Sequence, residues 1–247
     1  MAEQQNIQWK RLTIEAAAIV ASILLAFAID ALWEEHLERL EEADVLSQLH
    51  KEFSVNSALL ARIKDVCTAS CQAEKTSNQI YQSIDQALSN GASTIDVPNL
   101  ALDGLIGAAT FEAETPVLDG LVQSGRLAVI QDQQVLSAIA TWDRFLRDSL
   151  EIQQRARRNV DTHVIPALIK RGDVGNALKN HAHQMYDDEL DFSGVTILSI
   201  DMELKGVIGQ RYENATRSNY TLDRTQRAAD EVLAAIEVAQ SVGVAPQ

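Results

Sequence analysis

The chain of 247 residues carries 35 Asp and Glu against 21 Lys and Arg, a formal net charge of −14, and is 46% hydrophobic but only 5% aromatic. That balance leaves no basic stripe to neutralise phosphates, which argues against nucleic acid as a partner, and it disfavours a body lying flat on an anionic membrane. With 4 prolines and abundant Ala, Leu, Gln and Glu, the composition predicts an all-α fold.

The first element is an apolar run bracketed by Trp9 and Trp33. On a helix these indoles sit about 36 Å apart, matching a hydrocarbon core of about 30 Å with an aromatic at each interface. Residues 12–33 are therefore predicted to cross a lipid bilayer once, between a short cytoplasmic N-terminus (1–11) and a helical extracytoplasmic domain (34–247). Lys10 and Arg11 precede the span and orient the N-terminus inward, with Trp9 and Trp33 as interfacial anchors. Ala26-Phe27-Ala28 is a passable signal-peptide cleavage site, but helix-forming sequence runs on past it, and a retained signal-anchor is expected.

The span carries more than an anchor needs. Glu15 and Asp30 each cost insertion up to about 2.5 kcal/mol, less near an interface. At about 100° per residue, Glu15, Ala18, Ser22, Ala26, Asp30 and Trp33 share one face, while Val20, Leu24 and Phe27 lie opposite. Ala18, Ser22 and Ala26 form a small-xxx-small ridge that lets helix backbones approach closely. The face is read as a packing surface for another membrane helix, with Asp30 satisfied by a partner group. The alternative is that both carboxylates snorkel to the interfaces and alanine is filler.

Beyond the span no glycine occurs before Gly91 and no proline before Pro98. Leu46, Leu49, Phe53, Leu60, Ile63, Cys67, Tyr81, Ile84 and Leu88 keep a heptad frame, so one helix of about 80 residues including the span is predicted. Asn56, Ser70, Glu74 and Ser77 interrupt the seam, which favours a bundle over a long two-stranded coiled coil. Asn90-Gly91 ends the helix and 91–99 reads as a turn-rich link. A short helix is expected over 100–109. Another starts at the Thr115-Pro116 pair and stops at Ser124-Gly125. A third long segment starts at Asp132, buries Val135, Ile139, Trp142, Leu146 and Leu150, and kinks near Pro166. Residues 172–194 read as looser and acidic, and 201–241 as the final long helix. The predicted architecture is an elongated bundle of three long helices plus short ones.

A resemblance enters on two stretches. Ser22-Ile23-Leu24-Leu25-Ala26-Phe27-Ala28-Ile29-Asp30-Ala31-Leu32-Trp33-Glu34-Glu35 leads to Leu46-Ser47-Gln48-Leu49-His50-Lys51-Glu52-Phe53-Ser54-Val55-Asn56. Together they resemble a group of uncharacterised bacterial single-pass membrane proteins, in which such a span runs into an acidic helix. Leu121-Val122-Gln123-Ser124-Gly125-Arg126-Leu127-Ala128-Val129-Ile130 resembles the same group's segment before a helix. The resemblance implies an inner-membrane signal-anchor with a helical periplasmic domain, and it brings no catalytic residues.

Candidate chemistry is sparse. Cys67 and Cys71 are the only cysteines, four apart on one helix face. They are buried seam thiols, an intramolecular disulfide, or a link to another chain or a metal. His181-Ala182-His183 precedes Asp187, Asp188 and Asp191 at a spacing that matches no strong metal motif, so no metal is expected. Glu112 and Glu114 beside Thr115 are explained by helix capping and dipole duties. No phosphate loop, nucleophile elbow or zinc-protease motif occurs, so neither catalysis nor a cofactor is expected. The expected role is a non-catalytic accessory or scaffold subunit docked on other integral membrane subunits. The alternative is a periplasmic ligand-binding or sensing bundle acting through a separate partner. Homo-oligomerisation through the small-residue face is compatible with either.

Overall fold

The computed structural model describes residues 9–65, 69–107, 110–183 and 193–243. The chain is mostly helical, 83% helix and 5% strand, with one long apolar helix at the N-terminus. That helix, α1, runs unbroken from Trp9 to Asp65, so the border between span and domain at residues 33/34 is not a structural break. The single helix of about 80 residues expected from the seam is described as α1 and a second helix, α2 (Ala69–Ser89). Residues 66–68, Cys67 among them, lie outside the described residues.

α2 stops where Asn90-Gly91 predicts. Gly91 takes the left-handed conformation at φ 74°, which lets Ala92 N–H close back on the Ala87 carbonyl at 2.9 Å. The next segment is not a turn-rich link. β1 (Thr94–Pro98) pairs antiparallel with β2 (Val195–Ser199), Asp96 opposite Ile197 and Pro98 opposite Val195. Ile95 and Val97 on one strand and Thr196 and Leu198 on the other turn inward, and Pro98 sits at the strand end, where its missing N–H costs the ladder little.

α3 (Asn99–Ile106) follows, then α4 (Pro116–Gln123) and a 3₁₀ turn (Arg126–Val129). Pro116 occupies the first turn of α4, and Gly125 leaves it at φ 70°, as the sequence predicts. α5 (Gln133–Asn159) is capped by Asp132, whose carboxylate accepts from Gln134 N–H at 2.7 Å and Val135 N–H at 3.1 Å. Its buried face shifts partway along. Val135, Ile139 and Trp142 are buried, but Leu146 and Leu150 are half-buried and Ser149 and Gln153 take the inner positions.

Where the kink at Pro166 was predicted, a π-turn (Val160–Val164) joins α5 to α6 (Ile165–Ile169), and Ile165 N–H bonds the Val160 carbonyl. The widened turn accommodates a proline that can neither donate to residue 162 nor pack tightly against it. α7 (Gly175–His183) occupies part of the segment expected to be loose, and 184–192 lies outside the described residues. α8 (Met202–Gly243) closes the fold.

α8 is the element on which the others align. Along α1 and α2 the partners run in antiparallel order: His50 with Glu237, Ser57 with Asp230, Glu74 with Thr216, and Asp85 with Lys205. On its other side Thr225 donates to the Phe145 carbonyl of α5 at 3.1 Å. Two larger apolar cores and one small one result. One larger core joins α1, α4, the 3₁₀ turn, α5 and the end of α8 around Leu49, Phe53, Val135, Trp142 and Val232. The other joins α2, α3, the strands, α6 and the start of α8 around Ile84, Leu105, Val164, Leu168 and Leu204. Between the two larger cores lie the small cluster of Leu60, Phe111 and Leu222 and a run of buried polar side chains: Asn56, Thr76 and Ser77 on α1 and α2, Ser149, Gln153 and Asn159 on α5, Arg211, Ser218 and Thr225 on α8.

Candidate functional site

The feature that sets this molecule apart is the exposed half of α1. Every residue from 13 to 40 is exposed, about 42 Å of helix standing clear of the protein. Ile14, Ile19, Leu24, Phe27 and Leu32 are each more than 60% exposed, which a soluble helix of this composition does not tolerate. Among the described residues one helix is long and apolar enough to cross a membrane, and none of its apolar window is buried against the protein.

The predicted packing face lies within this segment, and Glu15, Ala18, Ser22, Ala26, Asp30 and Trp33 are all exposed. Ser22 donates its hydroxyl to the Ile19 carbonyl at 2.8 Å, one turn back. It is left able only to accept from a neighbour. Trp33 lies against His36 with ring centroids 6.0 Å apart. The uncharged stretch 16–29 is about 21 Å long, short of a hydrocarbon core of about 30 Å. In a bilayer at least one of the flanking carboxylates reaches the hydrocarbon edge. Trp9, Lys10 and Arg11 belong to the first turns of α1, and their side chains lie outside the described residues.

Where α1 meets the body, four of its side chains grip the segment 111–132. Glu41 ion-pairs with Arg126. Glu42 accepts from the Gln131 N–H at 2.6 Å and the Asp132 N–H at 3.4 Å. Glu52 accepts from Val117 N–H at 2.6 Å and Leu118 N–H at 3.2 Å, at the start of α4. Asn56 exchanges two bonds with the Glu114 backbone, donating to its carbonyl at 2.7 Å and accepting from its N–H at 2.9 Å. Beneath them Phe53 meets Trp142 edge-on at 4.8 Å. Burial pushes the Glu52 carboxyl above its ordinary value, against the opposing pull of its two backbone N–H donors.

This clasp escaped sequence reasoning. The seam reading marked Asn56 only as an interruption, and Glu52 carried no signal beyond its place beside Phe53. Thr115 holds the N-cap position of α4 but makes no capping bond with its side chain, and the capping read into Glu112 and Glu114 is supplied from elsewhere. Thr115 bonds the Asp119 carboxylate at 3.0 Å, Glu112 is exposed, and the N-terminus of α4 is served from α1 by Glu52. Leu46, Leu49 and Phe53 pack here with Leu121 and Ile130.

Cys71 lies in α2 and His181 and His183 in α7, with their side chains outside the described residues, as are Asp187, Asp188 and Asp191 altogether. Among the described residues no group of three or more His, Cys, Asp or Glu gathers as metal ligands would. No family model, curated protein or solved structure matches the chain.

Proposed function

We propose that the chain is a single-pass membrane protein of the bacterial inner membrane, non-catalytic, acting as an accessory or scaffold subunit. Its N-terminus faces the cytoplasm and α1 carries an elongated bundle, built on α1/α2, α5 and α8, into the periplasm. The observation that supports this most is the complete exposure of an apolar helix about 42 Å long that continues without a break into a helix clasped by the body. A flexible tether suffices for mere anchoring. A rigid helix with small residues and a carboxylate on one face suits docking on other integral membrane subunits, with homo-oligomerisation through the same face as a variant. The resemblance to bacterial single-pass proteins points the same way.

The test is purification of the tagged full-length protein in mild detergent with mass spectrometry of what accompanies it. A stoichiometric membrane partner is expected, lost in Ser22→Leu and Ala26→Leu while both variants still resist carbonate extraction. Undiminished co-purification in both variants, or a wild-type protein that elutes alone, rejects the docking role. A second reading, a ligand-binding or sensing bundle, is favoured by one observation, the buried polar belt between the two larger apolar cores.

A further inference from the structure

Arg211 of α8 is 1% exposed. Its Nε donates to the Leu105 carbonyl at 2.8 Å and its Nη2 to the Gly107 carbonyl, both at the C-terminal end of α3. No carboxylate among the described residues pairs with it. Burial draws its pKa down to about 10, so at neutral pH the guanidinium remains charged. A helix C-terminus supplies at most about half a negative charge. Buried charges in proteins are ordinarily matched in full, because an unmatched ion in a low dielectric is costly.

A second anomaly lies at the same level. Asn159, the last residue of α5, is 5% exposed, and neither its amide nitrogen nor its oxygen has a hydrogen-bond partner. The Thr225–Phe145 bond sets the antiparallel register of α8 and α5. Asn159 lies as far along α5 from Phe145 as Arg211 lies back along α8 from Thr225, about 21 Å in each case. The helices stay together over that distance, since Val160 and Val164 share a core with Leu204 and Ile208. The neighbours Leu105, Ile106, Val160 and Ile208 are each at most 3% exposed. A ligand held among residues this deeply buried is limited to an ion or a water.

We propose that Arg211 and Asn159 bind one small inorganic anion of chloride size as a resident counter-ion between α5 and α8. The anion accepts from the guanidinium and from the Asn159 amide N–H, and a water entering with it donates to the Asn159 carbonyl oxygen. The site is independent of the membrane reading. It gives the polar belt a charge-balancing role and ties α3, α5 and α8 together.

The experiment is a thermal melt of the full-length protein in detergent at fixed pH and ionic strength, exchanging gluconate for chloride. Wild type is expected to gain about 3–5 °C per decade of chloride above its dissociation constant. Asn159→Asp places a fixed carboxylate opposite the guanidinium. It is expected to melt above wild type in gluconate and to be indifferent to chloride. Because that variant gains stability, the test does not depend on a damaged protein. Bromide-soaked crystals of wild type supply the independent readout, an anomalous peak between Arg211 and Asn159. Equal melting of wild type in both anions, or a site refined as water alone without a bromide peak, overturns the proposal.

Discussion

Glu52 shows how a single side chain can stabilise and burden the same junction. Its carboxylate caps two backbone N–H groups of α4, yet burial makes ionisation unfavourable and raises its pKa above 4.5. The folded chain therefore holds the Glu52 proton more tightly than the unfolded chain. Its contribution to stability is fullest below pH 4.5 and declines as pH rises through the raised value. Melting temperature measured upward from pH 4.5 should fall along this part of its profile in wild type, and Glu52→Gln should flatten it. An identical slope in the two proteins contradicts the assignment. Asn56→Ala acts differently, since it strips both partners from the Glu114 backbone. A loss of about 1–3 kcal/mol is expected from denaturant unfolding.

Among the elements, close approach rather than propensity decides which glycines matter. A methyl group on Gly172 meets the Ile197 carbonyl of β2 at 2.6 Å, and Ser199 N–H bonds the neighbouring Arg171 carbonyl at 2.9 Å. Gly172→Ala should therefore push the sheet edge away and cost about 1–3 kcal/mol. Gly206, exposed inside α8, meets nothing within 4 Å. Gly206→Ala should stabilise by about 0.5–1 kcal/mol through helix propensity alone. Calorimetry of the pair checks both signs, and a common sign in the two variants contradicts the packing argument. Nearby, Arg171 joins α6 to α8, reaching both Asp201 oxygens at 2.9–3.0 Å and Glu203 at 2.7 Å. The Leu204 N–H and then Arg171 hold the Asp201 carboxyl below 3.8. The stability it contributes is present above pH 3.8 and is lost as pH falls through the lowered value, opposite in sign to that of Glu52.

At the scale of the whole molecule, the exposed apolar half of α1 should be separable from the folded body. Contacts to the body start at Glu41, and the first core residue is Val45. A chain cut to residues 34–247 should be soluble without detergent and melt within a few degrees of the full-length protein, by circular dichroism. Aggregation of that fragment, or melting far below the full-length value, contradicts independence of the two parts. The full-length chain, by contrast, should partition into detergent.

Local signals in the sequence determined the apolar helix, the Gly91 stop, the Pro116 and Gly125 limits of α4, the Asp132 cap and the course of α8. Each depends on residues within a turn or two of one another, where propensity, capping and periodicity act. Only the tertiary structure decided the pairing of Thr94–Pro98 with Val195–Ser199. Its two short β-branched runs have no reason to be strands until distant chain brings them together. The same holds for Glu52 and Asn56, polar residues in an apolar seam that take their meaning from backbone groups far along the chain. Leu146 and Leu150 fit the helical period, yet Ser149 and Gln153 were turned inward, where Gln153 accepts from Phe111 N–H at 2.7 Å. A helix period says which residues share a face, but the partners across that face decide whether it must be apolar. Arg211 lies furthest from the reach of sequence reading. A buried arginine looks like any other in sequence, and that no carboxylate among the described residues pairs with it emerges only once the helices around it have closed.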